Sequence, residues 1–178
     1  MGIAGILKKL LLGRAFAAEN GRITILGSYN VSLLESHGFA VFLQKLYEEL
    51  KEKKFYKILK EVTTISIKEI YQSLGVTPSV NELEKSLPFM DIYGWGKIAL
   101  VNKGENKNSM FWLVKVTNSP ITEYAKKMFG KKSEVCILYR SNFEAAFELA
   151  LKKPIKVEEI ACFCKGAPAC TFRIEVEK

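Results

Sequence analysis

The sequence predicts an α+β fold, an antiparallel sheet packed against helices, and three observations carry that prediction. Helical periodicity and strand alternation occur in separate blocks, not as repeating β-α units. The strand-like runs are joined by short polar or Gly/Pro turns: Asn20-Gly21 near the start, Lys103 to Ser109 in the middle, Lys165 to Pro168 near the end. No internal repeat or long linker divides the 178 residues, a length that buries one substantial core. The expected organisation is an N-terminal helix over residues 1–13 and a single domain over 14–178.

The elements follow from local patterns. In Gly2 to Leu12, the residues Ile3, Ile6, Leu7 and Leu10 fall at helical spacing, with Lys8 and Lys9 to one side. The segment is short and lacks an aromatic anchor, so docking on the domain or on a second subunit is favoured over a membrane surface. Asn20-Gly21 tolerates positive φ and joins Arg14 to Ala18 with Arg22 to Leu26 as a hairpin. Ser36 is the expected cap of a helix whose apolar face is Phe39, Phe42, Leu43, Leu46 and Leu50. Phe55, Ile58, Leu59, Val62, Ile70 and Leu74 carry the periodicity into one or two further helices, stopped by Gly75. Asn81 is the expected cap of a short helix that ends at Leu87. Ile92 to Val101 and Met110 to Val116 read as an antiparallel pair. Ile121, Tyr124, Ala125, Met128 and Phe129 mark a helix between Pro120 and Gly130, and Phe143, Ala146, Phe147, Ala150 and Leu151 mark another before Pro154. Ile155 to Cys164 and Cys170 to Val176 form a closing hairpin.

Composition narrows the function classes. The chain is 48% hydrophobic and 26% charged, as in a globular domain, and no apolar run approaches the roughly 20 residues that span a bilayer. Net charge is +8. The arginines are only Arg14, Arg22, Arg140 and Arg173, and the lysines are spread along the chain, which reads as a solvated surface and not a nucleic-acid face. Acids are glutamates except for Asp91, and Lys/Glu enrichment of this kind accompanies hot environments. Four cysteines without a secretion signal point to a reducing, cytoplasmic setting, where clustered thiols serve metal or redox chemistry.

Three of those cysteines, Cys162, Cys164 and Cys170, gather at the tip of the closing hairpin. Residues i and i+2 of a strand share a face, so Cys162 and Cys164 point the same way, and Glu159 points to the other face unless a bulge intervenes. With the turn centred on Ala167, Cys164 lies opposite Cys170. Zinc takes four ligands in a tetrahedron; the hairpin supplies two or three, and Cys136 or a carboxylate completes the set. Cys-x-Cys-x5-Cys is not the usual doubled Cys-x2-Cys pattern. Buried apolar cysteines and a Cys164–Cys170 bridge therefore stand beside zinc as readings.

Glu159, Cys162, Gly166, Cys170, Phe172 and Ile174, at these spacings, resemble the signature of the 4-vinyl-reductase domain family. Gly21-Arg22, Gly94-Trp95-Gly96, Asn118-Ser119 and Cys136 agree in order upstream. The family includes the sensor domains of phenol-responsive activators, a protein tied to bacteriochlorophyll synthesis and stand-alone archaeal proteins. The resemblance implies the NO-signalling/Golgi-transport ligand-binding fold, similar to the small subunits of the TRAPP tethering complex, which pair. It also implies a structural zinc held by Cys136, Glu159, Cys162 and Cys170, with Cys164 as a possible substitute. One departure is plain: relatives usually carry glycines in the helix after the first cysteine, where this chain has Tyr139 to Ala145.

Other chemistry is thin. His37, the single histidine, sits at a helix start, and Gly94-Trp95-Gly96 lacks the third glycine of a dinucleotide fingerprint. The aromatic residues Trp95, Trp112, Phe111, Tyr93 and Phe89 concentrate mid-chain, either as sheet core or as the wall of an apolar ligand pocket. The expected function is a zinc-stabilised, sensor-like domain that binds a small hydrophobic or aromatic molecule, as a homodimer and without nucleic acid or membrane. The alternatives are a vinyl-group reductase of tetrapyrrole metabolism, for which no electron-donor motif is visible, and a ligand-free adaptor.

Overall fold

The computed structural model describes residues 16–19, 22–25, 29–32, 34–73, 75–87 and 94–177. The helix expected over 1–13, and Phe89 and Tyr93, lie outside the described residues. Elements run in the order β1 (Phe16–Glu19), β2 (Arg22–Ile25), β3 (Tyr29–Val31), α1 (Ser36–Ser73), α2 (Val80–Ser86), β4 (Lys97–Glu105), β5 (Ser109–Thr117), α3 (Pro120–Phe129), α4 (Ile137–Leu151), β6 (Lys156–Ala161) and β7 (Cys170–Glu177). The fold is α+β, as the block pattern predicts.

The main sheet is antiparallel throughout, in the order β4-β5-β7-β6, and β1-β2-β3 form a separate three-stranded sheet. Glu19 pairs with Arg22, so β1 and β2 turn over two residues as the Asn-Gly signal requires. One face of the main sheet is apolar: Ile98, Trp112, Val114, Val116, Val157, Phe172, Ile174 and Val176 are buried on it. Helix α4 covers that face. Phe143 meets Phe172 edge-on at 5.2 Å between ring centroids, and Phe147 meets Trp112 at 5.2 Å.

The back of α4 meets α1, and the join is largely polar. Tyr56 hydrogen-bonds Glu144, Lys60 reaches both Glu144 and Glu148 (2.6 and 2.8 Å), and Thr63 hydrogen-bonds Asn142. α1 itself breaks at Lys51, whose φ of 61° and ψ of 164° are not helical. The apolar face expected of α1 is only partly a core face. Ala40, Leu43 and Phe55 are buried, whereas Phe42, Ile58 and Val62 are exposed, because the polar row Tyr56, Lys60 and Thr63 takes the side toward α4.

Boundaries differ from the sequence reading where capping chemistry decides. Glu35, not Ser36, caps α1: its carboxylate accepts from the backbone N–H of His37 and Gly38 at 2.8 and 2.6 Å. Ser79, not Asn81, caps α2. β4 begins at Lys97, after Gly94-Trp95-Gly96. Gly96 has φ +108°, and a Cβ there would lie 2.8 Å from the Thr117 carbonyl oxygen. That close approach lets the start of β4 pass the end of β5.

Phe147 is fully buried and closes the core between α4 and the sheet. The Phe147→Ala variant is expected to lose about 3–5 kcal/mol of stability, read as a lower urea midpoint at unchanged slope. A loss below about 1 kcal/mol would show that this layer does not carry the fold.

Candidate metal centre

The closing hairpin is shorter than its sequence pattern. β6 stops at Ala161, and residues Cys162 to Ala169 form a tight loop held by Lys165 and Ala167 N–H groups donating to the Cys162 carbonyl, at 3.1 and 3.0 Å. Cys164 therefore lies in the loop and not opposite Cys170 on a ladder. Cys170 instead pairs with Val116 of β5.

A register shift between Glu159 and Ala161 of β6 supplies the bulge on which the orientation of Glu159 depends. Glu159 pairs with Phe172, on the face that carries the core. The extra residue is taken up by Ile160, which is half exposed, and Cys162 is thereby returned to the same side as Glu159.

Cys136 arrives from the start of α4. Its Sγ lies 3.4 Å from that of Cys170, 3.5 Å from Cys162 and 3.9 Å from Cys164. All four thiols are buried and free of disulfides. One donor atom from each of Cys136, Glu159, Cys162 and Cys170 lies within 4.8 Å of all the others. These are the four residues that the family resemblance implies. Cys164 is adjacent and donates weakly to the Thr122 carbonyl at 3.6 Å. The Phe163 N–H donates to Cys170 Sγ at 3.3 Å, a contact that favours a thiolate there.

The electrostatics are those of a site that lacks a cation. Burial pushes the Glu159 carboxyl up to about 8, and the neighbouring Cys162 sulfur adds to the effect. Glu159 Oε1 is buried without a hydrogen-bond partner. Cys162 is held well below the usual thiol range by hydrogen bonds from Cys136, Cys164 and Cys170, while Cys136 is pushed up by the same contacts, with Cys162 first among them. Cys136 lowers Cys164, but Cys162 and burial outweigh it and hold that thiol up at about 11. Three converging thiols and an unsatisfied carboxyl fit a tetrahedral divalent ion of the zinc class, for which thiolate and carboxylate are ordinary ligands.

Next to this centre, Tyr139 ties three segments together. Its hydroxyl donates to the Trp95 carbonyl at 2.6 Å and lies 2.6 Å from Ser119 Oγ, the cap of α3. Sequence reasoning missed this residue; the signal was a tyrosine within the first turn after Cys136. A groove of about 110 Å³ lies beyond it, lined by Thr117, Ser119, Thr122, Phe163 and Ala169. Tyr139, Ser141, Asn142, Phe143 and Ala145, the stretch that replaces the family's glycines, are all buried and fill the space between sheet and α1.

The mid-chain aromatics do not share one wall. Trp112 faces α4, and its Nε1 donates to Glu84 at 2.8 Å. Phe111, next in β5, points to the opposite face, where Arg173 lies 4.6 Å over its ring. Trp95 is half-buried beside Tyr139. His37 is exposed at the start of α1, with its ring 5.3 Å from that of Tyr124.

Comparison with known proteins meets the site at this point. Residues 114–176 match the family model of the 4-vinyl-reductase domain. The family resemblance read from the closing hairpin is thus borne out, over the segment that carries all four donors. A 44-residue stretch is 41% identical to the uncharacterized protein MJ0745 of Methanocaldococcus jannaschii, covering 25% of this chain and 24% of that protein's length. The fold is similar to that of the phenol-responsive sensory domain of the transcription activator PoxR, crystallised with phenol, at TM-score 0.73 and 15% identity over 98% of this chain and 91% of that one. A vinyl-4-reductase family protein of Methanocaldococcus jannaschii aligns at TM-score 0.55 and 16% identity, over 83% and 84% of the two chains. Subunit 3 of a trafficking protein particle complex from Naegleria fowleri, covalently bound to palmitic acid, aligns at 0.56 and 13%, over 80% and 95%. The TRAPP-like architecture is therefore the observed one. Among the described residues, no helix is long and apolar enough to cross a membrane.

A carboxyl held near 8 keeps its proton below that pH, so a metal ion must expel the proton to use Glu159. Affinity for added Zn2+ is accordingly expected to fall steadily from pH 8 to pH 6, measured by competition with a chromophoric chelator. An affinity flat across that range would remove Glu159 from the donor set.

Proposed function

We propose that this chain is a metal-clamped, sensor-like domain that binds a small hydrophobic or aromatic molecule. The observation that carries the reading is the convergence of Cys136, Glu159, Cys162 and Cys170 within a fold similar, over nearly its whole length, to a phenol-responsive sensory domain. Zinc is the proposed ion. It would be structural, because four protein donors leave no open position for substrate or water. Its work would be to fix the first turn of α4 to the loop between β6 and β7. The half-buried Trp95 and the Tyr139 hydroxyl, with the groove beside Ser119 and Thr122, support a ligand site next to this clamp.

Homodimerisation in the cytoplasm completes the proposal. Ile58, Val62 and Ile65 lie at i, i+4 and i+7 on one side of α1 and are all exposed, a stripe that a second copy would bury.

Two measurements test the reading. Purified protein should carry about one zinc per chain, and Cys170→Ser should lose the metal together with a large part of the thermal stability. Phenol and larger aromatic compounds should quench or shift the fluorescence of Trp95 and Trp112 saturably. Full metal occupancy without saturable binding of any member of such a panel would leave a structural metal protein and end the sensor reading.

A further inference from the structure

Cys164 is the thiol that neither the family signature nor the group of four mutually close donors includes. It is nonetheless 1% exposed and 3.9 Å from Cys136 Sγ. In a tetrahedral tetrathiolate with metal–sulfur bonds of about 2.3 Å, the sulfur–sulfur edge is about 3.8 Å. Cys136 therefore has three thiols at that edge length, at 3.4, 3.5 and 3.9 Å, where a three-thiolate set requires only two.

The loop geometry allows Cys164 to move inward. Its hydrogen bond to Thr122 is a weak S–H···O contact at 3.6 Å. Two residues on, Gly166 has φ +111° with open space around its α-carbon. Glu159, by contrast, enters from a bulged strand and leaves Oε1 unpaired. The fourth position thus has two candidate donors, a carboxylate from β6 and a thiol from the loop.

We propose that Cys164 is a reserve metal ligand that replaces Glu159, converting a three-thiolate, one-carboxylate centre into a four-thiolate centre that favours thiophilic ions such as Cd2+. This rests on the reading that the other three thiols hold a metal. The exchange moves no electrons. The metal–oxygen bond to Glu159 breaks, the metal–sulfur bond to Cys164 forms, and the thiol proton leaves to solvent. Soft ions drive it because thiolate is the softer donor.

The full-length protein, its E159Q, C164S and E159Q/C164S variants, and added Co2+ provide the test. Thiolate-to-cobalt charge-transfer absorbance counts sulfur ligands, and chelator competition gives affinity. E159Q should keep affinity within about tenfold of the parent and gain about one third in absorbance per bound ion, as three thiolates become four. C164S should match the parent. The double variant should bind at least about 100-fold more weakly than either single variant. E159Q binding as weakly as the double variant, or without the absorbance gain, overturns the proposal and leaves the metal reading intact. Failure of the parent protein to bind cobalt overturns both. A measurement independent of how E159Q folds uses Cd2+ on the parent and C164S: sulfur-to-cadmium absorbance should fall by about a quarter in C164S, and no change overturns the proposal.

Discussion

The structure depends on where one sulfur sits. Cys136 belongs to the first turn of α4, and the three thiols around it belong to the far end of the chain. Bringing them together sets where α4 begins, and the rest of α4 then falls across the sheet in one register. Tyr139 follows after one turn, Phe143 after two and Phe147 after three, each on the face toward the sheet. Four buried thiols and a buried carboxyl are also five acids in one place. Lys165, the cation in the loop itself, is partly exposed and pairs with Glu134 at 3.4 Å. Buried acids without a paired cation either stay protonated or take up a positive ion, and thiols in this geometry are suited to the second course.

The opposite face of α4 follows different physics. Its partners on α1 are ion pairs and hydrogen bonds around Glu144, Glu148 and Asn142, and these groups are only partly shielded. Such pairs contribute little net stability each, but they are directional. They fix the rotation of α1 about its own axis. That rotation leaves Ile58, Val62 and Ile65 facing outward, where an apolar join would have drawn them in. The break at Lys51 lets the first part of the helix pack on α3 while the second follows α4.

Much of this was legible from residue types and spacing. Block alternation gave the α+β class, Gly130 and Pro154 bracketed α4 and its predecessor, and the signature residues named the four converging donors. What was not legible depended on a partner distant in sequence or on a single residue of register. Alternation put Glu159 on the wrong face because it assumes an unbroken ladder, and nothing in Glu158 to Ala161 announces the bulge. Periodicity marked the apolar residues of α1 but could not say that Tyr56, Lys60 and Thr63 would be claimed by groups about 80 residues away. Ser36 and Asn81 are good capping types, yet Glu35 and Ser79 stand where the orphan N–H groups point.

The same register argument bears on how a bound molecule would be felt. Trp112 and Phe111 alternate across β5, and Phe147 and Glu84 occupy the inner side of Trp112, so the tightest route to the metal centre runs through Trp95. The Trp95 carbonyl accepts from Tyr139, and Tyr139 is one helical turn from Cys136, to whose carbonyl its own N–H donates at 3.0 Å. A molecule that displaced Trp95 would pull on a tyrosine held at its other side by the cap of α3 through Ser119. The pull would reach the thiol around which the four donors assemble. A rigid metal clamp at that point would resist it and pass the strain to α3, whose exposed Tyr124 and Met128 stand at the surface. Stiffness at Cys136 is thus what would turn a local displacement beside Trp95 into a change that a partner on the surface of α3 could read.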